Sequence, residues 1–137
     1  MSYIQTVNEI RAAAQAVNGD RFDHGRRVDF SQNFGKPFPY IWLYPIDMRD
    51  AGPDEVTDSA TILMGFWAQD KPDSSIQHRE LLIAEMDILC TQFLEVLRAN
   101  KFSQVSAVAR EPQYQHSQGH VSGMALRFTY QNFTPCL

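Results

Sequence analysis

The first apolar rhythm along the chain steps alternately by four and three: Tyr3, Val7, Ile10, Ala14 and Val17. That spacing predicts an amphipathic helix. Asn18-Gly19 supplies its stop, because both residues tolerate the left-handed backbone that ends helices. From Asp20 to Lys36 the chain is polar, with Gly25 and Gly35, and admits at most one short strand around Arg27 to Phe30. Pro37-Phe38-Pro39 then leads into Tyr40 to Tyr44, where the period changes to two. Tyr40, Trp42 and Tyr44 share one face of a predicted strand and Ile41 and Leu43 the other, with the prolines placed as an edge or first strand position allows.

Asp47 to Asp58 is expected to be a loop, since Gly52-Pro53 punctuates a stretch with five carboxylates, Asp47, Asp50, Asp54, Glu55 and Asp58. Ser59 to Gln69 alternates again. Ala60, Ile62, Met64, Phe66 and Ala68 fall on one face and Leu63 and Trp67 on the other, so the fold is expected to cover one face and a partner the other. Asp70-Lys71-Pro72-Asp73 breaks this strand. Ser74 with Gln77 reads as a capping box that starts a helix running to about Asn100, about 39 Å long. Ile76, Leu82, Ile83, Met86, Leu89, Cys90, Phe93, Leu94, Val96 and Leu97 fall within one half of that helix, which makes it the main cover of the core. Phe102 to Arg110 and Val121 to Asn132 read as two further strands, joined by a polar loop from Glu111 to His120 with Pro112 and Gly119. The predicted fold class is therefore α+β: one domain over residues 1–137, with an N-terminal helix and a mixed or antiparallel sheet of about four to five strands covered by one long central helix.

Composition agrees with a packed domain: 44% of the 137 residues are apolar and 20% are charged, and a chain of this length buries roughly two-thirds of its unfolded surface. The formal charge of −4 gives no whole-protein attraction to phosphate backbones or anionic lipid, so neither tight nucleic-acid binding nor membrane binding is expected. The segment MSYIQTVNEI has neither a basic n-region nor an apolar h-region, so cytoplasmic synthesis is expected. The two cysteines, Cys90 and Cys136, are expected to stay reduced thiols.

The chemistry-bearing residues make no catalytic motif. His116 and His120 are four apart but flank a Ser-Gln-Gly stretch expected to be loop, so a metal-binding helix face is not set up. His24 falls in a polar turn and His78 in the first turn of the long helix. Cys90 lies mid-helix on the buried stripe, where a thiol packs rather than reacts. The acidic loop lacks the alternating spacing and distal Glu of a calcium-binding EF-hand, so it reads as a solvated or partner-facing segment. No cofactor and no metal are expected. Two surface features stand out instead. Leu81 and Ile88, seven apart, form a narrow second stripe on the long helix, bordered by Glu85, Gln92 and Glu95. Arg21, Arg26 and Arg27 make a small basic cluster that could receive a neighbour's acidic loop.

The layout as a whole then becomes informative: Pro37-Phe38-Pro39-Tyr40-Ile41-Trp42, an acidic loop, a strand ending Trp67-Ala68-Gln69-Asp70, a long helix holding Arg79-Glu80-Leu81-Leu82-Ile83-Ala84, Val121-Ser122-Gly123-Met124 opening a last strand, and a cysteine near the C-terminus. From about Phe34 to Cys136 it resembles the small tail-terminator or tail-completion proteins at the neck of long-tailed bacteriophages. The resemblance implies a virion protein without catalysis or cofactor. Such a subunit forms a closed ring, commonly six-fold, caps the tail tube, joins it to the head-tail connector and lets DNA pass its lumen. Ring contacts are heterologous, two different patches of each subunit meeting. The face of Leu63 and Trp67, the Leu81 and Ile88 stripe and the acidic loop are the candidates. The alternatives are a protein-binding adaptor outside virions, or a ligand-binding or enzymatic domain using Asp47, His116, His120 and Arg127.

Overall fold

A computed structural model describes residues 2–26, 38–49, 58–71, 73–115 and 121–132. Helix α1 spans Tyr3–Asn18. Ser2 caps it by accepting the Gln5 N–H, and Gly19, at φ +59, ends it with an N–H donated to the Gln15 carbonyl at 2.9 Å. Strands β1 (Phe22–His24), β2 (Tyr40–Leu43), β3 (Asp47–Arg49) and β4 (Ser59–Gln69) follow, then helix α2 (Ile76–Arg98), β5 (Ser103–Gln115) and β6 (Val121–Asn132).

The strands form a six-stranded mixed sheet in the order β1-β2-β4-β6-β5, with β3 beside β4 next to β2. β1 and β2 run parallel and every other pairing is antiparallel. The long β4–β6 ladder, from Ala60↔Tyr130 to Gln69↔Val121, is its spine. Because side chains alternate across a strand, one face collects Ile41, Leu43, Ile62, Met64, Phe66, Leu126, Phe128 and Tyr130, and both helices pack on it. From α1 come Val7, Ile10, Ala13 and Ala14; from α2 come Ile83, Met86, Leu89, Cys90, Phe93, Leu94 and Leu97. Phe93 lies at the centre, 5.6 Å from Phe66 and 6.3 Å from Phe128 between ring centroids, spacings at which tilted aromatic pairs attract.

The α+β class and the sheet cover by α2 hold, with differences in detail. The sheet has six strands rather than four to five, because β1 lies in the expected polar turn and β3 occupies the start of the expected acidic loop. Three-residue strands carry no readable period. α1 shares the sheet cover with α2 rather than leaving it to one helix. The cap of α2 is Ser75, whose Oγ accepts the His78 N–H at 3.1 Å, not Ser74 with Gln77. Ile76, 70% exposed, and Val96, 38% exposed, stand outside the buried half. β5 runs through Pro112 to Gln115 where a loop was expected, which an edge strand tolerates because the missing N–H costs no ladder bond on its outer side. The expected strand at Arg27 to Phe30, Pro37, Arg27, Asp50, Asp54, Glu55, His116, His120 and Cys136 lie outside the described residues.

Candidate interaction surfaces

Among the described residues, no helix lies over the second face of the sheet. At one end Tyr40, Trp42, Trp67 and Val121 bury one another, with Phe38 and Tyr44 packed alongside. Trp67 is 1% exposed. Its indole folds back over Gly65, where a Cβ would sit 2.2 Å from the ring nitrogen. Trp67 is therefore spent on covering this chain's own sheet, which removes it from the exposed surfaces that alternation suggested. Leu63, two residues away on the same face, is 43% exposed.

Beyond the aromatic patch the face sinks into a half-open hollow of about 490 Å³, bounded by Arg26, Tyr44, Leu63, Glu111 and Gln113 over a floor that includes Ala125. A second hollow of about 450 Å³ continues from it, sharing Leu63, Glu111 and Ala125 and ending at Ala109 and Arg127. Ala125, short and half-buried on β6, adds little bulk to both hollows, and the Trp67 indole, lying back over Gly65, lines the first. Arg127 stands opposite Leu63 in register.

The outer surface of the helix layer carries Leu81, 63% exposed, and Ile88, 60% exposed. Both lie on the side of α2 away from the sheet, with exposed Ala84 between them and exposed Glu80, Glu85 and Glu95 around them. This crest and the trough face in opposite directions from a two-layer subunit.

One edge of the sheet, β5, is poorly suited to strand addition. Ala107 at φ +52 marks a bulge, where the register slips between Ser106 and Ala109. Pro112, with no N–H to offer, follows five residues on, and exposed Arg110 and Glu111 lie between. These are the devices by which sheets resist edge pairing.

Comparison with protein-family models and with curated proteins gives no match. The remaining candidates are therefore placed by geometry alone. Arg21 is half-buried, and its guanidinium donates to the backbone carbonyls of Asn18 and Phe38 at 3.3 Å. It ties the α1–β1 turn to the entrance of β2 and is not part of an outward basic patch. Arg26 is exposed beside the trough. Asp47 is exposed in β3, paired with Thr61, and Asp58 is half-buried just before β4. Asp47 and Arg127 share the open face on opposite sides of β4. His24 and His78 are exposed, and no group of three His, Cys, Asp or Glu among the described residues is placed to hold a metal ion. Cys90 is a buried free thiol whose pKa burial pushes up to about 11, which leaves almost no thiolate near neutrality. No helix among the described residues is long and apolar enough to cross a membrane.

Two buried polar clamps were not visible in the sequence. At the junction of β4, α2 and β6, the Asp70 carboxylate accepts from the Ser122 hydroxyl at 2.5 Å, the Lys71 N–H at 2.7 Å and the Arg79 Nε at 3.3 Å. Arg79 also donates to the Ser74 carbonyl and hydroxyl. Burial alone would raise the Asp70 pKa, but the hydrogen bonds from Ser122, Ser74, Lys71 and Arg79 outweigh it and hold the carboxyl below its ordinary value. At the other end of β6, Glu9 of α1 accepts from the Tyr130 hydroxyl at 2.8 Å and from the Asn132 side-chain amide. Burial, reinforced by that bond to Glu9, pushes the Tyr130 phenol up to about 12.

Proposed function

We propose that this chain is a virion structural subunit that forms a closed ring, terminates a phage tail tube and joins it to the head-tail connector, without catalysis. The observation that carries this reading is the pair of exposed apolar patches on opposite outer surfaces: Leu63 above the open sheet face and Leu81 with Ile88 on the helix crest. Isolated exposed apolar side chains are ordinary. Two patches on opposite layers are what a head-to-tail ring requires, because each subunit must offer one surface to the neighbour before it and a different one to the neighbour behind. The element order from the Pro-aromatic strand through the long helix to the last strand supports the resemblance, and the blunted β5 edge disfavours strand addition there. Negative-stain imaging with native mass spectrometry of the purified chain across a concentration series tests the reading. Closed rings of about six copies are expected. Open filaments, or a stable two-fold dimer that grows no further, would refute it.

A further inference from the structure

Resting on that ring reading, we infer which surfaces meet: the Leu81–Ile88 crest of α2 in one copy seats in the trough of the open sheet face of the next copy, around Leu63 and Ala125. The two surfaces match in shape, length and charge. The crest is a convex ridge whose two apolar side chains are seven residues apart, about 10 Å along the helix. Exposed Ala84 between them is small enough to let a facing surface approach closely. The trough is concave and extends along β5 from Gln113 to Ala109, about 13 Å at strand rise, so both apolar residues fit within it. Its apolar lining comes from Leu63, Trp67 and Ala125.

Charge favours this pairing over the symmetric one. The crest carries Glu80, Glu85 and Glu95 and no base among its exposed neighbours from residue 80 to residue 95. Two crests packed together would set acids against acids. The trough lining holds Arg26, Arg110 and Arg127 and one acid, Glu111; Arg110 pairs with Asp87 of its own chain, and Arg127 flanks Leu63 where the acidic rim of a seated crest would lie. Opposite charges around an apolar centre steer and orient such a contact. Strand addition along β5 is the competing mode, and the bulge at Ala107 with Pro112 cuts that edge into short runs such as Ser103 to Ser106 and Ala109 to Glu111.

The test uses the full chain with Cys136→Ser, in which Cys90 is buried and unreactive. Two variants with one exposed cysteine each, Leu63→Cys and Ile88→Cys, are treated with a short bismaleimide, alone and mixed. The mixture is expected to give a cross-linked dimer between the two variants while neither links to itself, and the double variant is expected to give a ladder of covalent oligomers. Leu63→Asp, and separately Leu81→Asp with Ile88→Asp, should each weaken self-association by about tenfold or more. All these positions are exposed, and an unchanged melting temperature verifies folding. Ile88→Cys linking to itself would overturn the proposal, as would no link in any combination at about 1 mM protein. Rings that form without the Leu63–Ile88 link would overturn this docking and leave the ring reading standing. That link in open filaments would do the reverse.

Discussion

Replacing Asp70 by Asn keeps the shape of the side chain and removes one acceptor from the clamp that joins β4, α2 and β6. Asp70 Oδ2 accepts from both Ser122 and Arg79, while Oδ1 accepts the Lys71 N–H. An amide has one oxygen, so whichever way it turns, its NH₂ faces a donor. With its oxygen kept toward Ser122 and Arg79, the amide sets its NH₂ against the Lys71 backbone N–H; turned the other way, it sets NH₂ against Arg79 while the Ser122 hydroxyl rotates to accept. Either way one bond is lost and the others lose the charge on their acceptor, and hydrogen bonds to a charged group contribute about 1.5–3 kcal/mol each. Since part of the loss is recovered by water, the expected cost at neutral pH is about 2–4 kcal/mol, roughly 10 °C in melting temperature for a chain of this size. Urea denaturation followed by circular dichroism measures it. The pH dependence has a definite sign. The folded pKa lies below the unfolded one, so the stability contributed by Asp70 is present above the ordinary carboxylate value of 3.8 and is lost as pH falls through the folded pKa. The gap between wild type and Asp70→Asn should therefore close below about pH 4. A variant within about 0.5 kcal/mol of wild type at pH 7 would refute the clamp. A gap unchanged at the lowest pH where both fold would refute its dependence on charge.

Three further outcomes are expected. Gly123→Ala would place a Cβ 1.9 Å from the Phe66 carbonyl oxygen, so β6 must shift against β4; a loss of about 2–4 kcal/mol in the same denaturation assay is expected, and a loss under 1 would show the ladder to be looser than described. Tyr130→Phe removes the bond to Glu9 and should cost about 1–2 kcal/mol. Because the folded phenol is raised to about 12, its contribution is present below pH 10 and lost as pH rises through 12, and ultraviolet titration should find one tyrosine ionising late. Cys90, raised to about 11, should react with a thiol reagent at pH 8 only on unfolding; fast labelling of the native Cys136→Ser chain would contradict its burial.

The long elements were legible because they repeat their period. β6 spans Val121–Asn132 as the alternation predicted, and α1 ends at the Asn-Gly stop. The short ones were not, since Phe22–His24 and Asp47–Arg49 hold too few residues for a period and sit among polar neighbours. The Ser74 and Ser75 pair shows a finer limit. Either hydroxyl can cap a helix, and what assigns Ser75 to the cap is that Ser74 is taken by Arg79. For the surfaces, helical spacing located Leu81 and Ile88, and alternation put Leu63 and Trp67 on one face. Alternation could not show that Gly65 leaves room for the Trp67 indole to lie back on the sheet. The Asp70 clamp was hidden for a different reason: Asp70 reads as a strand breaker, and its strongest donor, Ser122, is 52 residues away.

On the proposed ring reading, the clamp also bears on assembly. It sits where β4 ends and where α2 and β6 begin, so it ties the first turns of the helix that carries the crest to the two strands that form the trough floor. A head-to-tail ring multiplies any error in the angle between a subunit's two docking surfaces, because each copy sets the orientation of the next. A layer joined only by apolar packing can slide; hydrogen bonds donated to a buried carboxylate from two elements fix direction as well as contact. Substitutions at the crest or trough should thus change affinity and leave closure unaffected among the copies that associate. Asp70→Asn, at a temperature where it remains folded, should instead leave pairwise cross-linking between Leu63 and Ile88 intact and broaden the distribution of ring sizes.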